Sequence, residues 1–168
     1  MRLLKLLSLT VWLVTSALAE DGTSINREFQ LKTAYLFHFA ELTQWPDSAP
    51  IRICLLGNSA LRAYLPVLEG QQINDTLVSI ELGDKPDLSR CRILFLTELA
   101  TLAPALIEQA RLSHILLVSD VQNFAAHGGM VEFSLRDNKL NLVINLSAVK
   151  SASLKLSSKL LRMAEILE

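Results

Sequence analysis

The chain has few of the residues and motifs on which catalysis usually depends. Its 168 residues include only 3 histidines, 2 cysteines and 6 glycines. It contains no P-loop, no GxGxxG fingerprint and no GxSxG nucleophile elbow. His38, His114 and His127 fall in separate predicted elements without zinc-site spacing, so a metal site would require them to converge by chance in the fold. We therefore expect a protein that is not an enzyme and that holds no metal or cofactor.

The chain also lacks the positive charge that is typical of nucleic-acid-binding proteins. It has 16 basic and 17 acidic residues, a formal net charge of −1. Loss of the first 19 residues, which include Arg2 and Lys5, would leave 14 basic residues and a net charge near −3. Nucleic acid and anionic membrane surfaces are therefore poor candidate partners.

A targeting segment is predicted at the start of the chain. Two basic residues precede a short apolar run, Leu6–Val14, and Ala17-Leu18-Ala19 has the A-x-A form of a cleavage site. The run is too short to span a bilayer, although an uncleaved membrane anchor is the alternative. We predict a signal peptide over residues 1–19, export to a bacterial periplasm, and a single domain over residues 20–168.

The cysteines form an even pair in the exported part of the chain. Cys54 and Cys91 both lie in apolar, strand-like runs. In an oxidising compartment this predicts a disulfide, and two buried free thiols are the alternative. The bond would close a loop of about 37 positions and stabilise the fold by about 4 kcal/mol in the loop-entropy model. Neither cysteine belongs to a CxxC motif, so a redox role has little support.

Hydrophobic periodicity predicts a β-α-β-β-α-β order followed by a hairpin and two further helices. Asn26 is the expected N-cap of the first helix, and Pro104 either kinks its helix or forms its first turn. The fold class is α/β, a single domain with a mainly parallel sheet flanked by helices and an added C-terminal antiparallel hairpin. We predict helices at 26–43, 60–69, 97–110, 146–151 and 157–167, and strands at 51–56, 76–82, 91–96, 114–118, 130–136 and 140–144.

The stretch Val118–Leu146 carries the clearest local signals. Gly128-Gly129 marks a break after an apolar strand, and Asp137-Asn138-Lys139 separates two alternating segments. The pair of segments is predicted to form a β-hairpin, whose apolar face must pack on the preceding strand–helix–strand body.

Polar residues follow the predicted parallel strands and suggest a small-ligand cleft. Ligands bind at the carboxyl ends of the strands in open α/β sheets. Asn58 and Ser59 follow one strand, and Ser119 and Asp120 follow another. Ordinary helix capping and turn formation are the alternative explanation for the same residues.

Two regions are candidates for binding a partner protein. Trp45 ends an aromatic-rich helix and is the residue of that helix expected at an interface, although burial in the core is the alternative. Lys155, Lys159 and Arg162 would share one face of a continuous terminal helix and suit an acidic partner. A solvated helix face is the alternative there.

Five blocks along the chain resemble a known family. They are Glu28-Phe29-Gln30-Leu31-Lys32 leading to Trp45-Pro46; Ile53-Cys54-Leu55-Leu56-Gly57; Cys91-Arg92-Ile93-Leu94-Phe95; Val118-Ser119-Asp120 through Gly128-Gly129-Met130 to Ile144-Asn145-Leu146; and Leu154-Lys155-Leu156-Ser157-Ser158-Lys159-Leu160-Leu161. In this order, and over nearly all of the exported chain, they resemble the YfiR family of exported bacterial proteins.

The resemblance implies a periplasmic α/β domain that negatively regulates an inner-membrane diguanylate cyclase. Such a protein binds the periplasmic sensor portion of the cyclase and keeps cyclic di-GMP synthesis low, and an outer-membrane lipoprotein can sequester it. The resemblance also implies a homodimer, and Cys54 and Cys91 match the family's structural disulfide positions. The alternative function is a periplasmic small-ligand sensor module without a cyclase partner.

Overall fold

The computed structural model describes residues 20–168. The predicted signal peptide, residues 1–19, lies outside the described residues. Across residues 20–168, no helix combines the length and the apolar character that are needed to cross a membrane.

Four α-helices and eleven strands are present between residues 20 and 168. The helices are α1 (Glu20–Leu42), α2 (Pro104–Leu112), α3 (Leu146–Ser151) and α4 (Ser158–Leu161). The strands are β1 (Thr43–Gln44), β2 (Arg52–Leu56), β3 (Gln72–Ile73), β4 (Thr76–Leu77), β5 (Ser79–Gly83), β6 (Ile93–Leu96), β7 (Leu116–Ser119), β8 (Val131–Arg136), β9 (Lys139–Asn145), β10 (Lys155–Leu156) and β11 (Ala164–Leu167).

Seven strands form one sheet in the order β11-β9-β8-β7-β6-β2-β5. The neighbouring strands are parallel except for the hairpin pair β8 and β9. Two separate antiparallel pairs, β1 with β10 and β3 with β4, lie outside this sheet. The mainly parallel α/β fold predicted from the sequence is therefore confirmed.

The sheet owes its stability to strands that are apolar on both faces. All residues of β6 and β7 are buried, as are the three central residues of β2. Helix α1 packs on one face through aromatic rings: the Phe39 ring stacks on Phe133 of β8 at 5.7 Å, and Tyr35 lies 5.9 Å from the same ring. Strands in which apolar residues are continuous, and do not alternate with polar ones, are typical of a sheet covered on both faces.

The predicted hairpin is confirmed, with a shorter turn. Arg136 pairs with Lys139, so the turn has two central residues. These are Asp137 and Asn138, with φ angles of 51° and 56°. Two consecutive positive φ angles are the requirement of a type I′ turn, in which asparagine and aspartate are well tolerated.

Three predictions for the first half of the chain are corrected. Asn26 is not an N-cap: it lies inside α1, and its Oδ1 accepts a hydrogen bond from the Tyr64 hydroxyl at 2.7 Å. Residues 60–69 form two short 3₁₀ turns, because Pro66 supplies no N–H to continue one helix. Residues 76–82 are divided at Val78 between β4 and β5.

Of the three remaining helix predictions, the one at 146–151 is confirmed as α3, and the other two are corrected. Pro104 is the first residue of α2, so it begins that helix and does not kink it. The predicted terminal helix at 157–167 is wrong: α4 covers Ser158–Leu161, and β11 then adds to the edge of the sheet beside β9. Lys155, Lys159 and Arg162 therefore do not share the face of one continuous helix.

Candidate functional site

The carboxyl ends of β2, β6 and β7 lie side by side, as the sequence predicts for a parallel sheet. Leu56 is in register with Leu96, and Leu96 with Ser119. The polar residues that follow each strand therefore meet along one edge, which we call the strand-end edge. In open α/β sheets this is where a ligand would be expected.

A buried lysine from α1 closes part of this edge. Lys32 Nζ lies 2.6 Å from Asp120 Oδ2 and 2.5 Å from Glu28 Oε1, and its side chain is only 4% exposed. It also lies 5.1 Å from the centre of the Phe29 ring. A buried ammonium group needs such partners because its desolvation is costly. Asp120, a predicted ligand-binding residue, is thus engaged by the chain's own lysine.

The other predicted ligand-binding residues have mostly structural contacts. The fully buried Ser119 donates its hydroxyl to the Leu96 carbonyl at 2.7 Å and accepts the Val121 N–H at 3.0 Å. Ser59 caps the 3₁₀ turn that follows it by accepting the Leu61 N–H. Asn58 is exposed. The structure therefore brings these residues to one edge, and ligand binding by them stays a prediction.

Gly57 and Thr97 meet closely at the same edge. Gly57 has a φ of 101°, a region that side chains rarely adopt, and a Cβ there would collide with the Thr97 hydroxyl. Among residues 20–168, the Thr97 Oγ1 atom is buried and has no hydrogen-bond partner. The edge is thus tightly packed between β2 and β6.

The loop after β7 is held in place by the hairpin. Glu132, only 7% exposed, accepts backbone N–H groups of Asn123 and Ala125, each at 3.1 Å. Asn145 donates its side-chain amide to the Ala125 carbonyl and accepts the Ala148 N–H, so it joins this loop to α3. The side chains of Glu132 and Asn145 therefore order the backbone of the loop after β7.

The disulfide predicted from the sequence is confirmed. Cys54 of β2 is bonded to Cys91, which precedes β6, across a separation of 37 residues. Both residues are almost completely buried. The bond therefore joins the two neighbouring strands β2 and β6 inside the core, away from solvent.

The predicted partner-binding residues lie in two places. Trp45 is half-buried and donates its indole N–H to the His114 carbonyl at 2.9 Å, which ties the end of α1 to the start of β7. Lys155, Lys159 and Arg162 are exposed on β10, in α4 and at its C-terminal end. Their role in binding stays a prediction, and they belong to two consecutive short elements, β10 and α4.

The side chains whose pKa departs from its usual value are not the predicted site residues. The Asp87 N–H and the Arg52 guanidinium hold the pKa of the Glu81 carboxyl below its usual value. Burial lowers the pKa of Arg92, which contacts Asp47. The part of the chain that the structure describes shows no group of three or more histidine, cysteine or acidic residues placed to hold a metal ion.

Lys32 is the residue of this edge that the sequence analysis did not identify. It occupies a position of α1 on the same helical face as Phe29, Leu36 and Phe39, which pack inward. A lysine within an apolar stripe implies a buried carboxylate partner. The sequence thus indicates that Lys32 has a carboxylate partner. It does not identify that partner, Asp120, which lies 88 residues away along the chain.

These features define an α/β protein whose strand-end edge is largely filled by its own side chains. The chain belongs to the YfiR/HmsC-like family, because the sequence model of that family matches residues 29–165. Membership suggests a periplasmic regulator in cyclic di-GMP signalling, in a family whose members are regulatory rather than catalytic.

A solved structure with a similar fold is a conserved domain protein from Vibrio cholerae O1 biovar eltor. The TM-score is 0.50 at 10% sequence identity, over 81% of this chain and 60% of that one. The chain therefore spans about 60% of the length of that protein, and the likeness is one of fold alone. No curated protein matches the sequence significantly.

Proposed function

We propose that this chain is a periplasmic regulatory binding protein that represses an inner-membrane diguanylate cyclase. It would bind the periplasmic sensor portion of the cyclase and so lower cyclic di-GMP. The observation that carries the proposal is the family match over residues 29–165, nearly the whole described chain. A regulator of this kind requires only different affinities for two states of its partner.

The contacts at the strand-end edge favour a protein partner over a small ligand. Asp120 is paired with Lys32, Ser119 is buried and doubly hydrogen-bonded, and Ser59 serves as a cap. A small ligand would have to displace these internal contacts. The exposed outer surfaces of the domain can bind a protein without such a rearrangement.

Two further partners belong to the proposal through family membership. An outer-membrane lipoprotein would bind the chain and relieve repression of the cyclase, and the active form would be a homodimer. Competition between the lipoprotein and the cyclase for this chain would then convert a signal at the cell envelope into a change in cyclic di-GMP. Sedimentation of residues 20–168 measures the oligomeric state directly.

Deletion of the gene tests the proposed function. We expect cellular cyclic di-GMP and biofilm formation to rise, and both to return when the full chain is supplied. The matched control is the same chain without residues 1–19, which should remain in the cytoplasm and fail to restore repression. Deletion of the cyclase gene should abolish the effect of losing the repressor. An unchanged nucleotide level across several growth conditions would contradict the proposal.

A further inference from the structure

An apolar groove runs along the outside of the domain between α1 and the chain that leads into β11. It has a volume of about 260 Å³ and is lined by Leu31, Tyr35, His38 and Leu42 of α1 together with Lys159 and Met163; we call it the outer groove. Leu31 is 40% exposed and Met163 is 49% exposed. Two large apolar side chains thus face solvent in one concave surface, as is typical of binding grooves.

The two walls of the outer groove are held together. β1, which follows α1 directly, pairs with β10, and the Ser157 N–H donates to the Leu42 carbonyl at 2.9 Å. Leu160 of α4 is completely buried beneath the second wall. The groove is therefore preformed, so a partner would not have to meet the entropic cost of ordering it.

The wall that carries Met163 belongs to a region with a net positive charge, unlike the rest of the domain. Residues 139–168 contain five basic and two acidic residues, a net charge of +3. Residues 20–138 contain nine basic and fifteen acidic residues, a net charge of −6. The part that precedes β9 thus has a net negative charge, and the part from β9 onward has a net positive charge.

The cations of this region are also available to a partner. Six of the nine basic residues between positions 20 and 138 lie within ion-pair distance of a carboxylate. Within the described chain, none of the five basic residues of 139–168 does so. Lys159 lines the outer groove, and Lys155 and Arg162 are exposed nearby in sequence.

We propose that the outer groove docks an acidic segment of a partner protein, with an apolar side chain against Leu31 and Met163 and a carboxylate at Lys159. This rests on the proposed function, and the segment would belong to the periplasmic portion of the cyclase. A second copy of the chain fits less well, since a two-fold contact would bring the same unpaired cations face to face. An acidic segment instead gains attraction and faster association.

Site-specific photocrosslinking in the bacterium that encodes the chain tests this directly. A benzoylphenylalanine side chain replaces Met163 in the full chain, and the control carries it at Leu112 of α2, which is 62% exposed. We expect an adduct at position 163 only, with a peptide that contains apolar and acidic residues. Lys159→Glu should reduce its yield at least five-fold, whereas Lys85→Glu, at an exposed cation elsewhere, should not.

Each outcome bears on the groove or on the cyclase separately. An acidic segment of a cyclase supports both proposals. An acidic segment of another identified periplasmic protein supports the groove as a docking site and contradicts the cyclase as its occupant. A cyclase crosslinked at Leu112 but not at Met163 supports the cyclase as the partner and contradicts the outer groove as its docking site. An adduct with a second copy, a segment without acidic residues, or no adduct specific to position 163 overturns the docking proposal. Melting curves of each variant confirm that the fold is intact.

Discussion

Lys32 Nζ lies 2.6 Å from Asp120 Oδ2, so a buried lysine of the first helix holds the carboxyl end of β7. The same ammonium lies 2.5 Å from Glu28 Oε1, one helical turn earlier. α1 therefore serves two purposes. Its inner face closes the strand-end edge, and its outer face, beginning at the adjacent Leu31, forms a wall of the outer groove.

Lys32→Ala should destabilise the domain strongly. The substitution leaves two carboxylates without their shared cation, and removal of one member of a buried ion pair costs about 3–5 kcal/mol. Because each carboxylate is about one quarter exposed, we expect a loss of about 2–4 kcal/mol in urea unfolding. The matched control, Arg111→Ala, breaks an exposed pair with Glu108 and should have little effect. Equal losses in the two variants would refute the role of Lys32.

Removal of the disulfide should lower the stability of the fold without affecting binding to a partner. Cys54→Ala with Cys91→Ala releases a 37-residue separation, and loop entropy gives about 4 kcal/mol. Differential scanning calorimetry measures the change, and mass spectrometry of non-reduced peptides checks the bond. Binding by the remaining folded protein should be unchanged, since both residues are buried. A double variant as stable as the wild type would contradict this prediction.

Local sequence signals were sufficient where the local preference and the tertiary structure agree. The turn at Asp137 and Asn138 tolerates positive φ angles, so the hairpin follows directly from the residues. β2, β6 and β7 were recognisable as short apolar runs. The pairing of Cys54 with Cys91 followed from the predicted compartment and from there being only two cysteines.

The C-terminal segment shows why the remainder could not be predicted. Leu160, Leu161, Ala164 and Leu167 have helical spacing, but Ala164–Leu167 instead pairs in parallel with β9. That edge of the sheet becomes available only after the hairpin has formed, and its unpaired backbone groups favour an added strand. The contact of Lys32 with Asp120 is likewise set by the tertiary fold. Local periodicity contains no information about either arrangement.

Glu81 should make the stability of the domain depend on pH. Hydrogen bonds from the Asp87 N–H and from Arg52 lower the pKa of its carboxyl. A lowered pKa in the folded state means that the contribution is complete above the ordinary glutamate value, about 4.3, and is lost as the pH falls through the folded value. Glu81→Gln should therefore be less stable than the wild type at pH 7, and the difference should disappear as the pH falls through the lowered pKa of Glu81 in the folded state. A difference that persists in acid would exclude the carboxylate as its cause.

Gly57→Ala should destabilise the strand-end edge for two separable reasons. Alanine is strained at a φ of 101°, and its Cβ would collide with the Thr97 hydroxyl. Strain of this kind costs about 1–3 kcal/mol. Chemical denaturation of the single variant should show a loss in that range, while Gly70→Ala, also at positive φ but with open space around it, should lose less.

Thr97→Ala distinguishes the collision from the backbone strain. Because Thr97 Oγ1 is buried and has no hydrogen-bond partner in the described chain, its removal leaves no polar group newly unpaired. If the collision contributes, Gly57→Ala should be less harmful in the Thr97→Ala background, by a coupling energy of about 0.5–1.5 kcal/mol in a double-mutant cycle. The loss that remains combines the strain of the φ angle with the close contact, at 3.2 Å, that the Cβ of residue 97 still makes. Additive effects of the two substitutions would show that the Thr97 hydroxyl does not oppose a side chain at position 57.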